Sequence, residues 1–512
     1  MSATRRQFLS AASAALAWAS LRNRAFASQA SGAPAESLAQ KLARDPLRPQ
    51  FHLLPAANWM NDPNGPVFWK GKYHLFFQYN PNGAYWGDMH WAHAVSPDLV
   101  HWKHLPVALA PTPGGYDSEG CFSGSIVIDH GTPTIIYTGV QNAPVDQATL
   151  VDGEHSFRET QCLATSHDFE LRTWKKLPQP VIAAPPPGMK VTGFRDPCIW
   201  RDGDWWYLAL GSGEPHVGGE ILLYRSRDLR HWEYLHVLHS GKWSGRPGKN
   251  PVDTGEMWEC PDFFALDGKH VLLYSTEGKV IWEVGEYDTK ELKFHPQKQG
   301  LLDLGAYYAP KSMLAPDGKR ILFGWIPEKR PEAEYRAAGW AGAMALPRVL
   351  NVNSAGELEM RVVSQIDQLR SPAGVVTRTT SGTVQSIAAS IPGLSGEVSV
   401  GFVASASWAI FSLDTEPDTL LRVRSEGTSL FIDDQALPMK TAVGERVKFN
   451  VYLDGSIIEC FVNDRIAFTK RVYPAGVKEW SGAVARLAIP SAVPAEFRVW
   501  HIPAISADRL SE

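Results

Sequence analysis

Three acidic residues stand in short motifs whose composition suits bond cleavage. Asp62 lies in Trp59-Met60-Asn61-Asp62-Pro63-Asn64-Gly65, Asp196 in Phe194-Arg195-Asp196-Pro197, and Glu259 in Met257-Trp258-Glu259-Cys260-Pro261. Each motif opens a segment of the same grammar. The three carboxylates therefore fall on equivalent positions of a repeated unit and can converge on one pocket. Converging carboxylates beside aromatic side chains are the usual equipment for cutting a glycosidic bond.

The repeat that must position them is legible in a second set of phrases. Ser96-Pro97-Asp98-Leu99-Val100-His101-Trp102 recurs as Ser166-His167-Asp168-Phe169, closed by Trp174, and as Ser226-Arg227-Asp228-Leu229-Arg230-His231-Trp232. A degenerate copy runs from Asp288 to Phe294. Upstream of each lies a glycine turn between apolar runs: Lys70-Gly71, His130-Gly131, Asp202-Gly203, Asp267-Gly268, and a fifth at Asp317-Gly318. Such turns mark hairpins. Five copies of a four-strand unit predict an all-β fold, a five-bladed β-propeller, with each key motif opening the strand that lines the central channel. Pro63, Pro197, Pro261 and Pro310 follow the key positions. Proline cannot donate to a ladder and belongs on strand starts and free edges. The propeller is expected over 48–360. A short linking turn at Val363 to Leu369 precedes an alternating, turn-rich stretch that predicts a C-terminal β-sandwich over 370–508.

Composition excludes several classes. The chain has 512 residues, a formal charge of −4 and 19 tryptophans. No basic run follows the leader, which argues against nucleic-acid binding. Tryptophan-rich surfaces suit sugar rings, although most tryptophans fill a core. The five cysteines, Cys121, Cys162, Cys198, Cys260 and Cys460, lack ligand spacing and are expected to be buried free thiols. His90 and His93 sit three apart on a strand and face opposite sides, so no metal is expected. No cofactor is implied. Residues 1–27 read as a signal peptide: Thr4-Arg5-Arg6-Gln7-Phe8-Leu9 is a twin-arginine pattern and Ala25-Phe26-Ala27 a small-residue cleavage site. Its apolar stretch is too short for a stable membrane anchor. The expected destination is periplasmic or extracellular. Oligomeric state stays open, with a homodimer through the sandwich one possibility.

Taken together, the motifs resemble glycoside hydrolase family 32, the invertases, levanases, inulinases and fructan exohydrolases. The likeness rests on the Asp62 motif, Phe77-Gln78-Tyr79-Asn80-Pro81, Phe122-Ser123-Gly124-Ser125, Arg195-Asp196-Pro197, Glu259-Cys260-Pro261, Gly339-Trp340-Ala341-Gly342 and Leu453-Asp454-Gly455-Ser456-Ile457-Ile458-Glu459. It spans about Arg48 to Pro503 and implies the same propeller and sandwich. It implies a retaining hydrolase acting on sucrose or a fructan such as inulin or levan. Asp62 would be the nucleophile, Glu259 the general acid and then base, and Asp196 the stabiliser of the oxocarbenium-like transition state. Arg195 would keep Asp196 ionised, and Cys260 would be a packing residue. Asn61, Gln78 and Ser123 would bond sugar hydroxyls. Trp59, Trp86, Phe122 and Trp340 would form the apolar wall, with Tyr308 near the acid. The charged loop from Glu328 to Ala338 could shape outer subsites. Phe122 departs from the Trp that many members carry. A fructosyltransferase would use the same carboxylates. A sugar-binding propeller without activity would have lost one.

Overall fold

The computed structural model describes residues 36–372, 375–404, 408–415, 417–474 and 482–511. The expected signal peptide lies outside the described residues.

Five antiparallel sheets are arranged in chain order. Their innermost strands are Asn58–Trp69, Gly120–Asp129, Phe194–Asp202, Glu259–Leu266 and Tyr308–Leu314. Each turns tightly into its neighbour. Lys70 and Gly71 have φ of 49° and 85°, His130 and Gly131 46° and 79°, Asp267 and Gly268 49° and 78°. These left-handed pairs match the twist of the flanking strands, which is why glycine recurs there.

The recurring Ser-x-Asp phrase makes the turn from third to fourth strand. Asp98 Oδ1 accepts from the amides of Val100 (3.1 Å) and His101 (2.8 Å), and Asp228 Oδ1 from those of Arg230 and His231 (both 2.9 Å). The tryptophan that closes each phrase donates its indole N–H to a leucine carbonyl: Trp102 to Leu99, Trp174 to Leu171, Trp232 to Leu229. Those leucines share a positive φ of 72°, 59° and 63°. In the second copy Leu171, not Phe169, fills the leucine position, so the copy is stretched by two residues.

The ring closes through two residues. Trp340–Ala341 pairs in parallel with Asn58 and Trp59 of the first blade. Gly342 follows with φ of 78°, and a Cβ there would lie 2.0 Å from the Met60 carbonyl oxygen. Only glycine fits this seam.

After a 3₁₀ turn, Ser364–Leu369, the chain forms two packed sheets of six and seven strands. Their core includes Phe411, Phe449, Val451, Leu453, Cys460 and Leu487, all fully buried. Burying each large apolar side chain stabilises by about 1.5–3 kcal/mol.

A buried charged network joins sandwich to propeller. Arg348 donates to Asp303 Oδ2 (2.9 Å) and Glu459 Oε2 (2.6 Å). Glu459 Oε1 also accepts from the Leu346 amide (2.7 Å) and lies 3.0 Å from His52 Nε2. His52 Nδ1 lies 2.7 Å from Asp454 Oδ2. The two ends of the described chain meet as well: Arg48 donates to the Arg509 carbonyl (3.0 Å), and Arg509 to the carbonyls of Ala43 (2.9 Å) and Asp45 (2.8 Å).

Candidate active site

Every innermost strand carries one extra residue at the same place. Register shifts fall between Met60 and Pro63, Cys121 and Gly124, Arg195 and Cys198, Glu259 and Asp262, and Tyr308 and Lys311. A bulge re-aims side chains and breaks pairing locally, and five of them face one channel. The carboxylates, however, are not at equivalent positions, as the repeat had suggested. Glu259 precedes its bulge, Asp196 is first within its own, and Asp62 is second. Asp196 has φ of 65°, as Cys260 (49°) and Ala309 (51°) do at the matching position. This left-handed backbone is uncommon for residues with a Cβ.

The three carboxylates line a single cavity of about 310 Å³. Asn61, Gln78, Trp86, Phe122, Ser123, Arg195 and Tyr308 join them in its wall. Asp62 is held by Ser123 Oγ (2.7 Å) to Oδ2 and Asn61 Nδ2 (3.1 Å) to Oδ1. The Trp59 indole fixes Asn61 from behind at 2.8 Å. Burial pushes the Asp62 carboxyl up, partly opposed by Ser123, with Glu259 adding to the rise. Burial likewise raises Asp196; Arg195 opposes this, and Glu259 and Asp62 reinforce it. The Cys260 amide donates to Asp196 Oδ2 at 3.0 Å, and the Cys260 thiol lies 3.5 Å from both Asp62 Oδ2 and Asp196 Oδ2. Cys260 therefore bridges two carboxylates rather than only packing. All five cysteines are free and buried, as expected.

Glu259 has its own cradle. Arg195 donates to Oε1 from Nη2 (2.8 Å) and Nε (3.2 Å), and Tyr308 donates to Oε2 at 2.8 Å. Arg195 Nη1 is anchored on Glu159 at 2.9 Å, whereas Asp196 is 3.9 Å away. Arg195 thus acts on Asp196 through its charge alone, while its hydrogen bonds go to Glu259 and Glu159. Glu159 is fully buried and also accepts from the Phe194 amide (2.7 Å) and Thr149 Oγ1 (2.9 Å). Nothing local in the sequence marks it.

Two other expectations are corrected. Trp340 is fully buried outside the cavity, its indole N–H on Asp45 Oδ2 at 2.8 Å and its ring beneath Arg330. It sits behind the ring seam, and Trp325 supplies the aromatic wall instead. Trp59 also lies behind the wall, its ring 6.0 Å from that of Trp325. Within the charged loop, Glu328 and Arg330 turn inward to Arg471 and Tyr473 of the sandwich, Lys329 is exposed, and Tyr335 of the helix Glu332–Ala338 sets its ring 6.0 Å from that of Trp59. Sequence reasoning missed Asp152, Glu154 and His155, on a turn of the second blade, and Asn250, all of which line the cavity.

Two family models match: the N-terminal domain of glycosyl hydrolases family 32 over residues 52–361 and the C-terminal domain of the same family over 360–501. The chain belongs to glycoside hydrolase family 32. It is 34% identical over 469 residues to a sucrose-6-phosphate hydrolase of Escherichia coli, covering 83% of this chain and 89% of that one. It is 35% identical over 466 residues to a raffinose invertase of Escherichia coli, with the same coverage. Among solved structures, the β-fructofuranosidase of Bombyx mori in complex with sucrose matches with a TM-score of 0.74 at 28% identity, covering 91% of this chain and 96% of that one. Fructan 1-exohydrolase IIa of Cichorium intybus matches with a TM-score of 0.73 at 26% identity, covering 90% and 98%. Membership of this family makes the chain a glycosidase. Among the described residues, no helix is long and apolar enough to cross a membrane.

Proposed function

We propose that the protein is a retaining β-fructosidase that releases terminal fructose from sucrose or a fructan. The observation that carries this reading is the separate tethering of two carboxylates on one cavity wall, Asp62 by Ser123 and Asn61, Glu259 by Arg195 and Tyr308. In the first step an Asp62 oxygen attacks the anomeric carbon of the fructosyl unit. The bond to the leaving sugar breaks, its electrons pass to the bridging oxygen, and Glu259 gives that oxygen its proton. In the second step Glu259, now a base, takes a proton from water, which attacks the same carbon and frees Asp62. Asp196 stabilises the positive charge that builds on the ring between these states. Asn61, Gln78 and Ser123 bond fructose hydroxyls, against the apolar side given by Trp86, Phe122 and Trp325. The catalytic domain spans 48–360 and the sandwich 370–508. Residues 1–27 direct export by the twin-arginine route, a reading supported by Arg5, Arg6 and the Ala25-Phe26-Ala27 site.

The roles are tested with sucrose and an activated fructosyl donor whose leaving group needs no proton. Asp62→Asn should lower kcat by several orders of magnitude on both with KM little changed. Glu259→Gln should lose about 10²–10⁴-fold on sucrose but far less on the activated donor in the fructosylation step. Equal losses on both donors, with fructosylation rate-limiting, would remove Glu259 from the acid role.

A further inference from the structure

One of the relatives is named for a phosphorylated disaccharide, and the charges around this cavity bear on whether such a substrate fits here. Floor and mouth are built by different elements. Asp62, Asp196 and Glu259 come from innermost strands. Asp152, Glu154 and His155 come from the turn between Leu150–Val151 and Ser156–Thr165 of the second blade, beside exposed Trp86, and they form the mouth where a departing sugar must lie.

A sugar phosphate carries about −1.5 to −2 at neutral pH and is held by guanidinium or ammonium groups or by converging backbone amides. The wall offers the opposite sign. Five carboxylates line the cavity against one arginine and one histidine. The arginine is Arg195, already engaged by Glu159 and Glu259. His155 points Nδ1 at Asp152 Oδ2, 3.1 Å away, while its ring stacks on Phe157 (4.8 Å between centroids) and meets the edge of Trp86 (5.3 Å). Asp152 in turn accepts the amides of His155 (2.7 Å) and Glu154 (2.9 Å), so these two amides face a carboxylate and not a bound anion. Burial works to raise the Asp152 carboxyl, but these bonds outweigh it and hold it below the usual range. Glu154 is exposed at the rim. Outside the wall, the stem of Lys249 lies against Gly153 of the same turn.

We propose that this cavity selects neutral, unphosphorylated fructosides, and that Asp152 and Glu154 are specificity residues that repel a leaving sugar carrying a phosphate. The proposal rests on the fructosidase reading above. Like charges facing each other across a rim at about 7 Å disfavour binding by roughly tenfold or more per pair.

The test compares kcat/KM for sucrose and for sucrose phosphorylated on the glucosyl 6-hydroxyl, at low and high salt. The expected result is a preference for sucrose of about thirtyfold or more at low salt, shrinking at high salt. Glu154→Gln, which alters no backbone contact, should narrow the preference several-fold, mainly by lowering KM for the phosphosugar. Asp152→Asn should narrow it further. Lys249→Ala should leave the ratio unchanged. Equal use of both sugars, a preference for the phosphosugar, or a collapse of phosphosugar turnover in Lys249→Ala would overturn the proposal. An unaltered ratio in both carboxylate variants would overturn the assignment to Asp152 and Glu154. Hydrolysis of neither sugar by folded enzyme would instead defeat the fructosidase reading itself.

Discussion

His52 lies between Asp454 and Glu459 with no exposure, so its protonation state should be measurable in the stability of the whole protein. Burial alone pushes its imidazolium down. The hydrogen bonds to Asp454 and Glu459 overcome that and raise it to about 9. In the unfolded chain the group titrates near its ordinary value of about 6.5. Because the folded value is the higher one, the stabilisation is fully present below pH 6.5. It is lost as pH climbs from there through 9. A difference of about 2.5 units corresponds to on the order of 3 kcal/mol. His52→Gln keeps an amide donor in place but has no charge to lose. Thermal unfolding of both proteins at pH 6, 7.5 and 9.5 should show the variant several degrees less stable at pH 6, with the gap closing by pH 9.5. A gap that stays constant across that range would mean that His52 is neutral throughout, with Arg348 balancing Glu459.

Three further outcomes are expected. Trp340→Ala should cost about 3–5 kcal/mol of stability, read as a fall in Tm, while KM for sucrose stays within about twofold in the protein that folds; Trp325→Ala should show the reverse pattern, a raised KM with a smaller loss of Tm. Glu159→Gln should destabilise by about 3 kcal/mol, since a buried guanidinium loses a partner, and should also lower kcat; an unchanged kcat would show that Arg195 holds Glu259 without its anchor on Glu159. Replacing Arg5 and Arg6 together by lysine should leave the protein in the cytoplasmic fraction of the producing cell, and undiminished export would rule out the twin-arginine route.

Much of the molecule could be read from local signals. The glycine turns and the Asp-Leu-Trp phrases are written within a few residues, because a turn is satisfied by its own backbone and side chains, as Asp98 and Trp102 illustrate. The carboxylates stood out for the same reason. Asp62, Asp196, Glu259 and Tyr308 all line one cavity. What escaped was set at long range. Repeat spacing placed the three acids on one position, but bulges shift the register by single residues, and a shift of one decides which way a side chain points. Trp340 sits in a sugar-family motif yet serves the ring seam, since its surroundings come from Asp45, Arg330 and Arg471. Glu159 and the Asp152 to His155 turn matter through partners on other strands and carry no pattern of their own.

The way the chain meets itself sets a schedule for its synthesis. The first blade cannot finish its sheet until Trp340 and Ala341 exist, and His52 waits for Asp454 and Glu459. Arg48 waits longer, for Arg509. At about 5–20 residues per second, the earliest part of the propeller stays incomplete for on the order of half a minute or more after it leaves the ribosome. During that time Phe51, Leu53 and Leu54, buried in the finished protein, are uncovered. Catalytic competence therefore waits for these late contacts rather than arriving blade by blade, and the nascent first blade is the stretch that most needs protection from aggregation until then.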